Sequence, residues 1–222
     1  MRLDWFVPAP AAHVPRLAER LGIERTVAHR AVALTFDDGP HPEATPSVLE
    51  LLARNGASAT FFLVGEQVSR RPALARAIHE AGHEIAVHGY RHQLLLGRTS
   101  AALADDLARA VAVIADATGC EPTVYRPPYG VFSAGGLDVV RALGWRSVLW
   151  SVWGRDWERR ATGVSVARRV TRRLSVGDVV LLHDSDAYGA PESWRATVSA
   201  LPSVLSAIAA LGVPPSAVTQ ST

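Results

Sequence analysis

The feature that most constrains the fold of this chain is an alternation of short apolar runs with longer segments of helical periodicity. Six runs rich in β-branched or aromatic residues predict buried strands, at residues 31–36, 59–64, 84–87, 123–125, 147–150 and 179–182. Strands that alternate with helices at intervals of roughly 25–35 residues predict a parallel sheet with helical crossovers. The fold class is therefore α/β, and periodicity alone does not choose between an open doubly wound sheet and a closed barrel.

Segments with helical spacing lie between these runs. They predict helices at residues 15–21, 46–53, 72–81, 100–118, 137–143, 164–174 and 194–211. The longest of them has Ser100 as its expected N-cap and Gly119 at its end. No linker, charge block or low-complexity tract divides the chain. Residues 31–222 are therefore expected to form one domain, with residues 1–30 as an N-terminal extension packed on its outside.

The composition is that of a globular protein. Hydrophobic residues make up 48% of the chain and charged residues 20%, which supports a sizeable core. All 23 basic residues are arginine, and the 21 acidic residues leave a formal net charge of only +2. This balance predicts no basic patch and no nucleic-acid binding. The single cysteine, Cys120, argues against an intramolecular disulfide and a cysteine metal site.

The N-terminal segment does not fit a secretory signal, because Asp4, Pro8, Pro10 and His13 interrupt the apolar run that such a signal requires. No stretch approaches the roughly 20 apolar residues of a membrane span. The sequence as it stands is therefore expected to be cytoplasmic, and extracellular if a leader has been removed from it. A monomer is expected.

Paired carboxylates follow the first predicted strand, at the place where α/β folds collect functional groups. Asp37 and Asp38 lie within TFDDGP at residues 35–40. Two adjacent carboxylates are costly to bury without a cation or hydrogen-bond donors. Because neighbouring strand residues point to opposite faces, one can ligate a metal while the other acts as a base. The alternative is a capped turn, since Asp-Asp-Gly-Pro also favours turns.

Two histidines follow the third predicted strand. His88 and His92 are four residues apart, a spacing that places two side chains on one face of a helical turn. Together with a carboxylate, they form a ligand set that leaves positions open for water and substrate. A chance pair is the alternative for the histidines alone, but finding both motifs at strand ends favours a metal site.

Three further motifs follow the later strands. Arg126 begins RPPYG at residues 126–130, in which paired prolines stiffen the backbone and the arginine can hold a carboxylate. Residues 150–157 contain three tryptophans, which suit either a sugar-binding wall or plain core packing. His183 ends the last strand and is a candidate general acid, because its ordinary pKa lies near neutrality.

The five motifs in this order resemble the polysaccharide deacetylase family, the NodB-homology or carbohydrate esterase family 4 enzymes. TFDDGP, HGYRH, RPPYG, GRDW and LLHD run from residue 35 to residue 184. The resemblance implies a distorted (β/α) barrel of seven or eight strands with its site at the carboxyl ends of the strands. It implies a metal-dependent hydrolase that removes acetyl groups from an N-acetylated sugar, oligosaccharide or glycoconjugate, at an amide bond other than a peptide bond.

The resemblance also implies a role for each motif residue. Asp37 is the catalytic base, Arg126 holds it, and His183, hydrogen-bonded by Asp156, is the general acid. The backbone N–H of Tyr129 donates to the oxyanion. A divalent metal, zinc ahead of Co²⁺, Ni²⁺ or Mn²⁺, is held by Asp38, His88 and His92. The substrate pocket is lined by Tyr129, Trp153, Trp157 and Leu181.

Two residues depart from the family pattern. Gly89 stands where the second motif usually has Ser or Thr, and Trp153 stands where the fourth motif often has Asp. We expect the metal ligands to survive the first change and the substrate preference to alter with the second. Removal of O-acetyl groups, as from acetylated xylan, is an alternative activity. A sugar-binding module without turnover is a second alternative.

Overall fold

A parallel sheet forms the centre of the protein. The computed structural model describes residues 9–27 and 30–219, so the first eight residues of the predicted extension lie outside the described residues. Within the described ranges the paired strands run parallel. They are β1 (Ile23–Glu24), β2 (Val32–Asp37), β3 (Thr60–Leu63), β4 (Glu84–Val87), β5 (Val124–Tyr125), β6 (Arg146–Val148), β7 (Val152–Trp153), β8 (Val179–His183) and β9 (Pro215–Ser216). The predicted α/β class is confirmed.

The sheet curls into an incomplete barrel. Its strands follow the order β1-β6-β5-β4-β3-β2-β8-β7, and β9 pairs with the start of β2. The two ends of this path, β1 and β7, are not paired with each other in the described ranges. An isolated antiparallel bridge between Thr26 and Asp178 links the segments next to β1 and β8. The structure is the predicted distorted (β/α) barrel, left open between β1 and β7.

Helices connect and flank the strands. In the part of the chain that is described they are α1 (Pro15–Arg20), α2 (Ala44–Arg54), α3 (Gly65–Arg70), α4 (Pro72–Glu80), α5 (Ser100–Thr118), α6 (Ala134–Ala142), α7 (Gly163–Thr171) and α8 (Trp194–Ala210). Seven of them correspond to predicted helices, with ends shifted by a few residues at most. The longest, α5, buries a stripe that includes Leu103, Leu107 and Ile114, the one-sided pattern that fixes a helix on a core.

The N-cap of α5 is Thr99, so the prediction of Ser100 is wrong. Thr99 has extended backbone angles, and its side chain accepts a hydrogen bond from the Ala102 N–H at 3.2 Å. Ser100 is already the first helical residue. At the other end Gly119 adopts the left-handed conformation with a φ of 75°, as expected for a glycine that ends a helix.

Besides two short 3-10 helices, at Ala9–Ala12 and Pro128–Gly130, one α-helix and three strands were not predicted, namely α3, β1, β7 and β9. A strand of two residues contains no periodicity that a sequence can display. β1 lies within residues 1–30 and pairs with β6, with Ile23 opposite Ser147. A salt bridge of 2.5 Å from Arg146 to Glu24 joins the same two strands. Part of the N-terminal segment is therefore an edge of the sheet.

β2 is enclosed by neighbouring strands on both sides. It lies between β3 and β8, and all six of its residues are buried. Phe36 of β2 stacks on Phe61 of β3 with ring centroids 5.1 Å apart. Burial on both faces explains why this strand has a continuous apolar run and no alternation. None of the helices in the described chain has the length and apolar character required to cross a membrane.

Arginines before, within and just after α7 gather around one surface cleft, so the prediction of no basic patch is wrong. The arginines that line this cleft are Arg155, Arg168, Arg169, Arg172 and Arg173. Net charge is a property of the whole chain, and acidic residues elsewhere conceal the local excess of positive charge.

The loop after β5 packs its backbone against a tryptophan at the mouth of the barrel. Tyr129 and Gly130 both have left-handed backbone angles, with φ of 61° and 67°. A Cβ atom on Gly130 would overlap the ring of Trp150. Glycine is required at this position both for its backbone angle and for space.

Replacement of Gly130 by alanine is expected to lower the free energy of unfolding by about 2–4 kcal/mol, because left-handed strain adds to the overlap with Trp150. Gly144→Ala is the matched control, since Gly144 has a φ of 69° but open space around its Cβ position. The control is expected to lose about 1–2 kcal/mol. Chemical denaturation measures both losses, and equal losses would contradict the role given to the overlap.

Candidate active site

The polar residues at the carboxyl ends of the strands converge on one cavity of about 220 Å³. It is lined by Asp37, Asp38, His88, His92, Tyr129, Gly130, Trp150, Trp153, Trp157, Leu181, His183 and Tyr188. Of the residues predicted for the site, Arg126 and Asp156 do not line the cavity. Both are buried and contact residues that do.

Arg126 is fully buried and holds Asp37. Its Nη1 donates to Asp37 Oδ1 at 2.6 Å and to Thr35 Oγ1 at 2.9 Å. Its Nε and Nη2 donate to the carbonyl oxygens of Val148 and Leu149 at 3.2 Å and 3.1 Å. These four hydrogen bonds, one of them to the Asp37 carboxylate, stabilise a guanidinium charge that would otherwise be too costly to bury.

The two adjacent carboxylates line the same cavity, although strand alternation predicts opposite faces. The alternation ends because Asp38 has a left-handed φ of 79°. Burial raises the pKa of Asp37, and the charge of Arg126 opposes this shift. Burial also raises the pKa of Asp38 to about 7, opposed by the charge of His183. A cation next to Asp38 would favour its charged form.

Asp38, His88 and His92 form a group that fits a divalent metal ion. Their candidate ligand atoms all lie within 4.8 Å of one another. Asp38 Oδ1 is 3.5 Å from His88 Nε2 and 3.3 Å from His92 Nε2, and it has no hydrogen-bond partner among the described residues. Burial lowers the pKa of both histidines to about 3, so both are neutral near pH 7. Neutral imidazole is the form that ligates metals.

The tautomer of His88 supports the same conclusion. His88 Nδ1 lies 2.8 Å from the carbonyl oxygen of Arg126. A carbonyl oxygen only accepts, so Nδ1 carries the proton and donates. The lone pair of Nε2 is then left facing Asp38, which is the arrangement that orients a histidine ligand.

His88 and His92 do not share a helical turn, so that part of the prediction is wrong. β4 ends at Val87, and residues 88–92 form an irregular bend. Gly89 turns the chain with a φ of 86°, and the N–H of Tyr90 donates to Asp106 Oδ2 at 2.8 Å. The bend itself brings the two imidazole centroids within 5.2 Å of each other.

His183 is oriented and charged by Asp156. Its Nδ1 is 2.9 Å from Asp156 Oδ1, and its backbone N–H donates to Asp156 Oδ2 at 2.7 Å. Thr197 Oγ1 donates to the same Oδ2 at 2.6 Å. Burial opposes the charged form of His183, but the carboxylates of Asp156, Asp38 and Asp37 outweigh it and raise the pKa to about 10. Nε2 lies 4.0 Å from Asp38 Oδ2, on the cavity side.

Tryptophans form an apolar wall opposite these charges. Trp153 lies between Trp150 and Trp157, with centroid distances of 5.6 Å and 5.4 Å. The Trp157 ring packs edge-on against His183 at 5.2 Å. Leu181, which is buried, lines the same cavity. The tryptophan-rich segment is therefore part of the site as well as of the core.

Two contributors to the site escaped sequence analysis. Thr35 accepts a hydrogen bond from Arg126 and donates one to the Val180 carbonyl oxygen, and Thr197 donates one to Asp156, but buried threonines are too common for one sequence to single them out. Tyr188 stacks on His92 with ring centroids 4.1 Å apart, and its hydroxyl donates to Glu66 Oε1 at 2.6 Å. Its position just after His183 and Asp184 makes this tyrosine a candidate for shaping the cleft on sequence grounds, and its side chain lines the cavity.

Residues 24–148, more than half of the chain, match the sequence profile described as polysaccharide deacetylase. The chain belongs to the polysaccharide deacetylase family. A chitooligosaccharide deacetylase of Bradyrhizobium is 36% identical over 173 residues, covering 77% of this chain and 78% of that protein. The peptidoglycan-N-acetylglucosamine deacetylase PgdA of Listeria monocytogenes is 33% identical over 162 residues. The match covers 73% of this chain but 34% of PgdA, so the chain spans about a third of its length.

A solved structure gives the same assignment. The crystal structure of the Bc1960 peptidoglycan N-acetylglucosamine deacetylase superposes with a TM-score of 0.85 at 27% identity. The match covers 92% of this chain and 94% of that one. The barrel described above is thus the fold of a polysaccharide deacetylase.

Gly89, which stands where the polysaccharide deacetylase pattern usually has Ser or Thr, supplies no side-chain hydroxyl beside the second histidine. A Cβ atom on Gly89 would lie 3.1 Å from the Arg91 carbonyl oxygen, and no side-chain hydroxyl is present. His92 Nδ1 is buried without a hydrogen-bond partner on another described residue. His92 is instead held between the ring of Tyr188, at 4.1 Å, and the edge of Tyr129, at 4.6 Å.

Asp184, next to His183, is a buried carboxyl whose charge opposes folding. Thr45 Oγ1 donates to its Oδ2 at 2.5 Å, but its Oδ1 has no partner on another described residue. Burial raises the pKa of Asp184 to about 7, compared with about 4 in an unfolded chain. The folded protein therefore binds this proton more tightly, and stability is lost as the pH rises from about 4 to about 7.

The variant Asp184→Asn is expected to remove this loss. Between pH 4 and pH 7.5, the free energy of unfolding of the unmodified protein should fall relative to that of the variant by on the order of 1–3 kcal/mol. Urea denaturation at both pH values measures the difference. Asp138→Asn, at an exposed position, is the control. A difference that does not change with pH would contradict the raised pKa of Asp184.

Proposed function

We propose that this chain is a metal-dependent N-deacetylase that releases acetate from an N-acetylated sugar or glycoconjugate. One observation carries the proposal. A single cavity brings together a carboxylate held by a buried arginine, a candidate metal group and a cationic histidine. The names of the relatives, a chitooligosaccharide deacetylase and a peptidoglycan-N-acetylglucosamine deacetylase, support an N-acetylated sugar as the substrate.

Asp38, His88 and His92 would hold the metal ion. Two imidazoles and one carboxylate are a ligand set typical of catalytic zinc, with positions left open, and we therefore infer zinc. When bound, the ion supplies Lewis acidity towards the acetyl carbonyl and the attacking water. The remaining steps fall to side chains and backbone groups of this chain.

Asp37 acts as the general base. Arg126 occupies its Oδ1, while its Oδ2 lies 3.8 Å from His88 Nε2, next to the metal group. Oδ2 is therefore the atom that accepts a proton from the water as this water attacks the acetyl carbon. Arg126 keeps the carboxylate in one orientation, and a proton acceptor fixed in position contributes about 10²–10⁴-fold to the rate.

Tyr129 and His183 act on the two substrate atoms that gain negative charge, namely the carbonyl oxygen and the leaving nitrogen. We assign the backbone N–H of Tyr129 to the oxyanion, since its left-handed φ of 61° is a strained conformation of the kind that collects at functional sites. One such donor is worth about 3–4 kcal/mol. His183 protonates the leaving nitrogen from Nε2. An amine is a poor leaving group that requires an acid, and the Asp156 carboxylate keeps His183 charged.

The apolar wall selects the acyl group. Leu181 and Trp157 line the side of the cavity next to His183, where the acetyl methyl group would be shielded from water. Trp153 and Tyr129 offer rings on which a sugar can pack, as aromatic residues do in many sugar sites. A cavity of about 220 Å³ is small, which suits an acetyl group and part of one sugar ring.

Acetate release by the purified, zinc-loaded chain tests the proposed function. The panel contains N-acetylglucosamine oligomers, N-acetylated glycosides and acetylated xylan, each with and without a chelator. We expect release from at least one amide substrate, loss of this release with the chelator, and recovery when zinc is added back. Release from acetylated xylan alone would favour the O-acetyl esterase activity. No release by a metal-loaded chain would contradict the proposal.

The variant Asp37→Asn is expected to lower kcat by about 10²–10⁴-fold, because asparagine keeps an acceptor for Arg126 but cannot take a proton. Zinc content is expected to change little, whereas thermal stability is expected to fall because the buried charge of Arg126 loses its ionic partner. The two values of kcat are therefore compared at a temperature at which both proteins are folded. Asp138→Asn, at an exposed position, should keep full activity. If Asp37→Asn retains near-normal kcat, Asp37 is not the base.

A further inference from the structure

A second cleft lies next to the catalytic cavity and is lined mainly by arginines. It has a volume of about 570 Å³. Five of the eight residues that line it are Arg155, Arg168, Arg169, Arg172 and Arg173. Among the described residues that line it there is no carboxylate. The cleft is therefore a concentrated positive site in a protein whose net charge is only +2.

The positive charge of this cleft is only partly neutralised. Glu158 pairs with Arg155 at 2.5 Å and with Arg169 at 2.9 Å. Arg168, Arg172 and Arg173 are exposed and form no ion pair within the described residues. Like charges held around one cleft repel one another, and a bound anion would reduce this repulsion.

The carboxyl end of α7 favours this cluster of arginines. Arg168 and Arg169 lie in the last turn of α7, and Arg172 is its C-cap. The carboxyl end of a helix carries a partial negative charge that favours cations. The end of the helix therefore stabilises the nearby guanidinium groups, and their N–H donors remain available to a ligand.

The cleft and the catalytic cavity share one residue, Trp153. On one side its ring packs with Trp150 and Trp157, which line the catalytic cavity. The guanidinium of Arg155 lies 5.8 Å from the centroid of the same ring. A ligand that packs on Trp153 would therefore have the reacting group on one side and the arginines on the other. Trp153 is also the position at which this chain departs from the family pattern.

We propose that the arginine cleft binds a phosphate or diphosphate group carried by the substrate, so that the enzyme acts on a phosphorylated N-acetylated sugar. Several guanidinium groups around one cleft suit phosphate, because each offers a planar fork of donors to its oxygens. A carboxylate offers fewer oxygens and less charge. The substrate assignment rests on the proposed function, whereas anion binding by the cleft does not.

Binding of a free anion separates these two claims. The zinc-loaded full chain is titrated with sodium pyrophosphate in a calorimeter, and with sodium glucuronate as the carboxylate probe. We expect pyrophosphate to bind more tightly than glucuronate. The variant Arg168→Gln/Arg172→Gln should weaken pyrophosphate binding at least about tenfold, since each charged hydrogen bond removed is worth about that factor. Pyrophosphate held by the metal would be unaffected by these two changes.

The control variant is Arg16→Gln/Arg20→Gln. These arginines are also exposed and also four residues apart on a helix, but they lie on α1, outside the cleft. The control removes the same net charge and should leave pyrophosphate binding within about twofold, since distant surface charges are screened by salt.

Kinetics test the substrate claim. The probes are N-acetylglucosamine 1-phosphate, N-acetylglucosamine 6-phosphate and the uncharged methyl glycoside. We expect a lower KM for at least one phosphorylated probe, lost in Arg168→Gln/Arg172→Gln with kcat little changed, and kept in the control. Equal KM values for the methyl glycoside and both phosphorylated probes would contradict the substrate claim and leave the proposed function standing. Failure of all three probes to release acetate would instead contradict the proposed function for these sugars, and arginine-dependent pyrophosphate binding would still leave the anion site standing.

Three outcomes would overturn the anion site itself. One is pyrophosphate binding that survives the loss of Arg168 and Arg172. Another is tighter binding of glucuronate than of pyrophosphate, which would assign the cleft to carboxylates. The third is arginine-dependent capture of the chain by phosphatidylglycerol vesicles, and not by phosphatidylcholine vesicles, without binding of soluble pyrophosphate. That result would make the cluster a membrane-surface contact.

Discussion

The buried ion pair between Arg126 and Asp37 is the contact on which the other parts of the site depend. Three strands separate β2 from β6 in the sheet, yet Arg126 bonds to Asp37 on β2 and to carbonyl groups at residues 148 and 149. The pair therefore spans the interior of the barrel. Removing either partner would leave a buried charge unpaired, which typically costs about 3–5 kcal/mol. The contact that positions the proposed base therefore also stabilises the barrel.

The ionisable groups around this pair lie close together, but each has different surroundings and therefore a different charge. Asp37 faces an arginine, Asp38 faces two neutral histidines, and His183 faces the carboxylate of Asp156. The carboxylates around His183, Asp156 above all, raise its pKa to about 10, whereas burial lowers the pKa of His88 and His92 to about 3. Three imidazoles in one cavity thus differ in charge. Such divergence is how one site provides an acid, a base and metal ligands at a single pH.

Sequence alone predicted the parts that repeat or cluster along the chain. The helix at residues 100–118 was predicted with the right extent, though with its N-cap one residue late, because its apolar stripe spans five turns. Polar motifs after apolar strands located the site, since parallel strands end at one edge. What escaped depends on distant contacts. β1 and β7 have two residues each, the bend at Gly89 replaces a helical turn, and the arginine cleft joins Arg155 to α7 in space.

The most direct test of the account is titration of the chelator-treated full chain with Co²⁺, followed by visible absorption. The account predicts saturation at about one ion per chain with nitrogen and oxygen ligands, as for a site of two histidines and one carboxylate. The His92→Ala variant should lose this spectrum, and His79→Ala, at an exposed position on α4, should keep it. An unchanged spectrum in His92→Ala, or no binding by the unmodified chain, would contradict the metal site.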